Sequence, residues 1–488
     1  MTAVPRGLAV PANGAPAARS STASFRVKRD PLRTTLFFLI IISVSRIHQQ
    51  FPALAVFRPA MSLALFALLY AFLKPQLLSG DKWFRLWPAR VVIGMGIMAC
   101  LSVLFGISMG RAGKFVIDDY SKTLIMCFLL MATIAGAKQL YLYIWAYVIS
   151  SGLLVWMSLF VFGMSKAGAN DIMRLSGGYK YDANDIGVVV LVGLGLSLLT
   201  LQTSRFWGKV TSLVILAGIG VTIAKTGSRG AFVGLIGEGA ALLICLHSVP
   251  ILKRVVFMAI TAGALALAAP PGYWNQMGTI FSPKKDYNWD SYSGRRQLAK
   301  RGVGYMMMYP IFGIGVNNFP MAEGTLAEHA KNLRATDAGI KWSVAHNSYL
   351  EAGAEMGLPG GLLWIILVPG GVIALFRLSR NLPRSWLRGD PEERFLYQAA
   401  MYLPVSLAGF ALSSFFVSFT YTDPIYVLAA YMVGIYIAID RKKRESAGGP
   451  QAARAPVVQT MRRSVPVVSG IALAPPPPPA QSPRMDQS

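Results

Sequence analysis

Long apolar blocks recur along this sequence of 488 residues, and they constrain its fold more than any other feature. The blocks run for roughly 18 to 23 residues, the length at which an α-helix crosses about 30 Å of hydrocarbon. We therefore predict an all-α integral membrane protein with about twelve transmembrane helices. The predicted spans are 33–48, 52–73, 90–109, 120–136, 139–164, 185–203, 208–225, 230–248, 253–270, 346–376, 396–417 and 422–440.

The composition agrees with a membrane bundle. Hydrophobic residues make up 54% of the chain and charged residues only 14%, too few charges to cover a soluble domain of this length. The net charge is +25, but Lys and Arg lie in the tails and between the apolar blocks, as membrane topology requires. They are accompanied by neither a basic helix nor an aromatic stacking module, which argues against nucleic-acid binding.

The Lys and Arg of the short loops predict that both termini are cytoplasmic. The basic run 441–444 after the last span is a cytoplasmic anchor in this orientation. The predicted segments are a disordered tail (1–33), a bundle of nine spans (34–270), a periplasmic loop (271–345), three more spans (346–440) and a disordered Pro-rich tail (441–488). We expect the long loop to fold as a cap with an amphipathic helix around 296–309.

Polar groups collect at the predicted outer face, where they are costly beside a membrane unless they are used. Span seven ends in the tight turn Lys225-Thr226-Gly227-Ser228-Arg229-Gly230, and span eight begins immediately, so that Arg229 lies at the N-terminus of a helix. A guanidinium beside the free N–H groups of a helix start suits a phosphate. The alternative is an arginine whose head group extends to lipid headgroups.

The long loop 271–345 has an excess of basic residues, nine against five acids. Arg295 and Arg296 open its amphipathic stretch, which closes with Gly313-Ile314-Gly315 and continues to Phe319. The bias fits an anionic substrate, although solvated loop charge explains most such residues. Arg174, in the connection before span six, is a further candidate anion ligand. Asp182 to Asp185, in the same connection, are predicted to cap span six.

His346 lies where the loop re-enters the membrane, within His346-Asn347-Ser348. A neutral imidazole there can take a proton from an acceptor hydroxyl. The alternative role is a capping or hydrogen-bonded interfacial histidine. Glu351 and Glu355 lie further into the span, where they either orient His346 and nearby arginines or pair structurally.

Taken together, the motifs at 226–230, 293–295, 313–319 and 346–357 resemble the O-antigen ligase and polymerase family of bacterial envelope enzymes. The resemblance rests on their order and covers roughly residues 180–420. It implies a GT-C-like bundle with a periplasmic cap. Such enzymes transfer an undecaprenyl-pyrophosphate-linked glycan to an acceptor hydroxyl, with neither a nucleotide sugar nor a metal.

The resemblance also implies roles for individual residues. Arg229 and Arg295 would bind the pyrophosphate, and His346 would be the base or would orient the acceptor. Arg296 adjoins the matched arginine and is an alternative ligand. Candidate substrate-binding residues added on weaker grounds are Lys114, Arg174, Lys225 and Glu355.

These motifs are the ones expected to bind the donor, so they do not identify the acceptor. A lipid A-core acceptor would make the chain a ligase, a second lipid-linked repeat a polymerase, and a protein a glycosylase. The predicted location is the bacterial inner membrane, with a possible polysaccharide assembly complex as partner. Two functions of other classes also stay open: a transporter or flippase of lipid-linked glycan, and a noncatalytic envelope scaffold.

Overall fold

The computed structural model describes residues 30–78, 82–167, 172–178, 181–282, 294–328, 330 and 342–447. The chain divides into a unit of residues 1–443 and a second unit of residues 444–488. In the second unit only 444–447 are described, as the end of the last helix. The predicted disordered tails therefore lie almost wholly outside the described residues.

In the described part of the chain, nine helices are long and apolar enough to cross a membrane. They are Pro52–Leu73, Trp87–Phe105, Ala137–Phe160, Ala183–Thr203, Phe206–Thr226, Ile251–Ala268, Ser348–Arg380, Pro391–Ser413 and Asp423–Ser446. The three remaining predicted spans fall on shorter helices, Pro31–Ser45, Ser121–Thr133 and Arg229–Cys245. The chain is thus a multi-pass, mainly helical membrane protein.

The elements of the first half are as follows. They are α1 (Pro31–Ser45), α2 (Ile47–Gln50), α3 (Pro52–Ala55), α4 (Pro59–Leu73), α5 (Trp87–Phe105), α6 (Met109–Phe115), a π-helical turn (Val116–Tyr120), α7 (Ser121–Thr133), α8 (Ala137–Phe160), β1 (Gly163–Ala167), β2 (Ile172–Ser176), α9 (Ala183–Thr203) and α10 (Phe206–Thr226). Short 3-10 turns cover Pro75–Leu77 and Trp83–Arg85.

The second half is helical in its described parts. Its helices are α11 (Arg229–Cys245), α12 (Ile251–Ala268), α13 (Tyr273–Gly278), α14 (Arg295–Met308), α15 (Phe319–Thr325), α16 (Ser348–Leu367), α17 (Pro369–Arg380), α18 (Pro391–Ser413) and α19 (Asp423–Ala447). A 3-10 turn covers Arg384–Leu387. Helix α14 lies where the sequence predicts the amphipathic stretch of the long loop.

The core of the bundle is formed by α9, α18 and α19, whose apolar windows are mostly buried within the protein. By contrast, α12 and the Pro52–Leu73 segment leave most of their apolar side chains exposed. In a bilayer such faces contact lipid, so exposure of large apolar residues there carries no penalty.

The hairpin β1–β2 was not expected from the sequence. Helix α8 ends at Phe160, before the predicted limit of its span, and the chain forms two antiparallel strands with Gly163 opposite Ser176. The hairpin leads to α9, which begins with a capping box in which Asp182 Oδ1 accepts from the Asp185 N–H at 2.9 Å. The prediction that Asp182 to Asp185 cap this helix is confirmed.

Helix α16 is interrupted rather than continuous. Gly357 has a left-handed φ of 74°, and Pro359 two residues later lacks an N–H to donate to the Glu355 carbonyl. The long loop uses the carbonyls freed at this break: Ile314 N donates to Ala354 O at 2.9 Å and Gly315 N to Glu355 O at 3.1 Å. Non-helical backbone at membrane depth is tolerated because it is buried in protein.

Candidate active site

The turn between α10 and α11 positions Arg229. Gly227 ends α10 in the left-handed conformation, and Ser228 caps α11 by accepting from the Ala231 N–H at 3.2 Å. A side chain at Gly227 would crowd Arg174, since a Cβ atom there would lie 3.2 Å from Arg174 Cγ. Arg229 is then the first helical residue, and its guanidinium donates to Thr279 Oγ1 at 2.8 Å. The turn thus connects to the first part of the long loop.

Arg174 and Lys225 hold this turn in place. Arg174 on β2 donates from Nε to the Thr226 carbonyl at 2.8 Å and from a terminal nitrogen to Asn184 Oδ1 at 2.9 Å. Lys225 Nζ donates to the Ser158 carbonyl at 3.3 Å, near the end of α8. Both contacts give these residues a structural role at the turn; their predicted role as anion ligands stays a prediction.

Arg295 and Phe416 connect α14 to the same turn. Arg295 is the first residue of α14, and its guanidinium carbon lies 5.3 Å from the centre of the Phe416 ring, a cation–π distance. Phe416 in turn packs on Gly230, where an added Cβ would approach Phe416 Cβ to 2.6 Å. The ring therefore lies between the start of α14 and the start of α11.

A large cavity of about 880 Å³ opens beside Phe416. Its lining residues are Val233, Arg295, Arg296, Ala299, Lys300, Val303, Leu412, Phe415 and Phe416. Among these, Arg295 is half-buried while Arg296 and Lys300 are exposed. Apolar walls beside three cations match a ligand with a hydrocarbon chain and an anionic head.

His346 stands next to the connection 414–422 between α18 and α19. Its backbone N–H donates to Ser418 Oγ at 3.0 Å, and its φ of 48° is left-handed, which is uncommon for a residue other than glycine. Ser348, two residues on, donates from N to the Ser414 carbonyl and from Oγ to the Val417 carbonyl, both at 2.8 Å. The re-entry of the long loop is thereby fixed to this connection.

The carboxyl groups of Glu351 and Glu355 accept hydrogen bonds from backbone N–H groups of loop residues. Glu355 is buried and accepts from the backbone N–H groups of Asn317 at 2.7 Å and Phe319 at 2.9 Å. Glu351 accepts from the Thr420 N–H at 3.1 Å. These contacts agree with the structural alternative for both residues, while substrate binding by Glu355 stays a prediction.

The structure brings three of the predicted site motifs to one place. Gly230 at the start of α11, the Arg295 side chain and the His346 backbone each contact the connection 414–422, through Phe416 or Ser418. Lys114, in contrast, is exposed on α6. Sequence reasoning missed Phe416 because the predicted span 396–417 continued through it, whereas the structure ends α18 at Ser413. Ser418 follows that predicted span and belongs to none of the motifs that the sequence singled out.

Comparison with known proteins gives a family for part of this region. Residues 211–365 match the family model described as O-Antigen ligase, and this match contains Arg229, Arg295, His346 and Glu355. A local stretch of 94 residues, 19% of this chain, is 35% identical to the Aspyridones efflux protein of Neocamarosporium betae. The chain spans 15% of the length of that protein.

Proposed function

We propose, from the O-antigen ligase domain that residues 211–365 carry, that this chain is a membrane glycosyltransferase of surface polysaccharide assembly. Its donor would be a glycan linked through pyrophosphate to undecaprenol, and its acceptor a hydroxyl of another glycan or of lipid A core. The site would face the periplasm of the inner membrane, with both termini in the cytoplasm. A surface-polysaccharide polymerase or ligase is favoured over a protein glycosylase.

The observation that carries this proposal is the contact of three motifs with one short connection. The start of α11 packs on Phe416, Arg295 lies over the same ring, and His346 is hydrogen-bonded to Ser418. Arg295 and Gly230, the residue after Arg229, come from different parts of the sequence and both contact Phe416, which supports a common ligand for the two arginines. A diphosphate is such a ligand because guanidinium groups bind it through paired hydrogen bonds.

The reaction follows from these groups. The acceptor oxygen forms a bond to the anomeric carbon of the donor sugar, and the bond from that carbon to the pyrophosphate oxygen breaks with its electron pair leaving on the pyrophosphate. The acceptor proton passes to His346. Arg229 and Arg295 stabilise the charge that develops on the leaving group, each worth about 2.7–4 kcal/mol of barrier. Attack opposite the leaving group inverts the anomeric centre.

The donor lipid fits the cavity of about 880 Å³ beside Phe416. Its apolar walls would contact the first part of the polyprenyl chain, while Arg295, Arg296 and Lys300 lie where the head group would be. In this proposal Arg229 and Arg295 neutralise the charge of the pyrophosphate leaving group, so the transfer reaction needs no metal ion. Transfer should then continue in a chelator such as EDTA.

The second candidate is transport of a lipid-linked glycan, favoured by the local similarity to an efflux protein. The two functions differ in what happens to the donor. A transferase consumes lipid-linked glycan and releases undecaprenyl pyrophosphate. A flippase moves the intact donor across the bilayer and leaves its amount unchanged.

The test is an in vitro transfer assay with the purified protein. The donor is lipid-linked glycan extracted from cells that lack this protein. We expect the unaltered chain to consume donor, and Arg229→Ala, Arg295→Ala and His346→Ala each to lose the product while still inserting in the membrane. Arg229→Lys should restore little activity because the bidentate contact is lost. Arg388→Ala, an exposed arginine between α17 and α18, is the matched control. Normal product from all three alanine variants would contradict the assignment.

Ligase and polymerase are separated by the glycan profile of a deletion strain. Single repeats attached to lipid A would indicate a polymerase. Accumulated lipid-linked polymer would indicate a ligase.

A further inference from the structure

A second cavity, of about 320 Å³, borders the later part of the connection 414–422. It is enclosed by the end of α1, the π-helical turn and start of α7, the start of α9 and residues 418–423. Four carboxyl side chains line it together with two basic ones: Asp119, Asp185, Glu351, Asp423, Arg46 and Lys122. The volume is at the lower end of the range of about 300–1,000 Å³ for ligand pockets, enough for a small ring.

This cavity adjoins the candidate active site. Ser418, whose Oγ accepts from the His346 N–H at 3.0 Å, lines it, and so does Val344. Phe416, two residues before Ser418, lines the larger cavity. The His346 backbone thus contacts a residue that lines the polar cavity, and the basic, apolar cavity is lined by Phe416 of the same connection.

The backbone around the cavity is unusual. Arg46 and Asn317 both line it and have left-handed φ angles of 52° and 56°. With His346, they are three of the four residues other than glycine that have positive φ in the described part of the chain. Such conformations are energetically unfavourable and are concentrated at functional sites.

The polar lining suits hydroxyl groups better than phosphates. Carboxyl oxygens accept hydrogen bonds from sugar hydroxyls, and four carboxyl groups beside two basic side chains leave no excess of positive charge for a diphosphate. The Arg46 guanidinium lies 4.4 Å from the centre of the Tyr181 ring. Burial raises the pKa of Tyr181 to about 12, so its hydroxyl stays protonated at neutral pH. Gln49 Oε1 is buried without a hydrogen-bond partner among the described residues, and it also belongs to this lining.

We propose that this cavity binds a sugar residue of the acceptor glycan and directs its nucleophilic hydroxyl toward His346. The inference rests on the proposed function and extends it: the two cavities would separate the substrates by charge. The lipid pyrophosphate would occupy the basic cavity, and the hydroxylated acceptor the carboxyl-lined one. Gln49 and Asp119 would accept hydrogen bonds from the sugar and would take no part in bond making.

The test uses the full-length purified chain, with extracted lipid-linked glycan as donor and an oligosaccharide released by mild acid from the same polysaccharide as acceptor probe. Gln49→Ala removes one hydrogen-bond acceptor, and Asp119→Asn replaces a charge-assisted acceptor by a weaker neutral one, so we expect each to raise the KM for the acceptor on the order of tenfold. The KM for the donor and kcat should change little. Asp118→Asn is the matched control, because Asp118 is equally exposed on the same π-helical turn and does not line the cavity.

Calorimetric binding of the same oligosaccharide, without donor, separates the two proposals. Weaker binding by Asp119→Asn and Gln49→Ala, with Asp118→Asn unchanged, supports an acceptor site even if the unaltered chain shows no transfer; the absence of transfer would count against the proposed function alone. Unchanged acceptor KM and unchanged binding would overturn the acceptor site. A rise in donor KM alone would also overturn it, because the cavity would then hold the donor sugar.

Discussion

At the scale of single residues, the position of His346 depends on backbone geometry as much as on side-chain chemistry. Its φ of 48° is held by the N–H contact with Ser418 and by the following Asn347, which caps α16 by accepting from the N–H groups of Tyr349 and Leu350. A left-handed φ is uncommon for residues other than glycine, asparagine and aspartate. Loss of the ring and loss of the backbone conformation are therefore different effects of mutation.

Two substitutions of His346 distinguish these effects. Asparagine and glycine both tolerate left-handed φ, so His346→Asn and His346→Gly should fold and insert like the unaltered chain. Both lack the base, and we expect transfer to fall roughly 10²- to 10⁴-fold. Transfer rates with purified protein, alongside thermal unfolding in detergent, provide the measurement. Near-normal transfer by either variant would show that His346 acts only through its backbone.

At the scale of elements, two features orient the loop that carries Arg295. Helix α14 is fixed to α15 by Arg301, which donates to both carboxylate oxygens of Glu323, at 2.8 Å from Nε and 2.6 Å from a terminal nitrogen. Tyr305 donates to the same carboxylate at 2.9 Å. The break in α16 at Gly357 provides the second point of attachment, through the backbone of residues 310–315.

Removal of Arg301 should disturb α14. Arg301→Ala leaves the buried Glu323 carboxylate without its cation, which costs about 3–5 kcal/mol for a buried pair. We expect earlier proteolysis of the loop and reduced transfer, since Arg295 is on the same helix. The double variant Arg301→Met with Glu323→Gln should recover much of the stability, because no buried charge is left unpaired. Equal proteolysis of the single variant and the unaltered chain would contradict this role.

Gly357 is the second test at this scale. A Cβ at this residue would lie 2.4 Å from the Ile311 carbonyl oxygen, and its φ of 74° is unfavourable for alanine. Gly357→Ala should therefore destabilise the protein by more than about 1 kcal/mol and lower its unfolding temperature in detergent. Gly220→Ala in α10 is the control, since an added Cβ there meets nothing within 4 Å. An unchanged unfolding temperature for Gly357→Ala would show that the loop can move away from α16.

At the scale of the whole molecule, the central helices α9, α18 and α19 bring the connection 414–422 against elements from most of the chain. Both cavities border this connection, one through Phe416 and the other through Ser418. The proposed reaction further requires that they open to the same side of the membrane. The predicted orientation places the long loop outside and the connection between α17 and α18 inside.

Cysteine labelling tests this orientation. In a variant without native cysteines, Lys300→Cys on exposed α14 should react with a membrane-impermeant maleimide added to intact spheroplasts. Arg388→Cys, exposed between α17 and α18, should react only after permeabilisation. The reverse pattern would place Arg295 in the cytoplasm and would remove the periplasmic site.

The sequence by itself determined the membrane class, the approximate helices, the capping of α9 and the motifs that resemble the ligase family. These features depend on residues close together in the sequence: the mean hydropathy of a block of about 20 residues predicts a span, and a polar side chain before a helix predicts its cap. The hairpin β1–β2, the break at Gly357 and the end of α18 at Ser413 were decided by tertiary contacts. So was the shared contact of Arg295, His346 and the start of α11 with residues 414–418, because contacts between residues distant in sequence depend on which helix faces pack together.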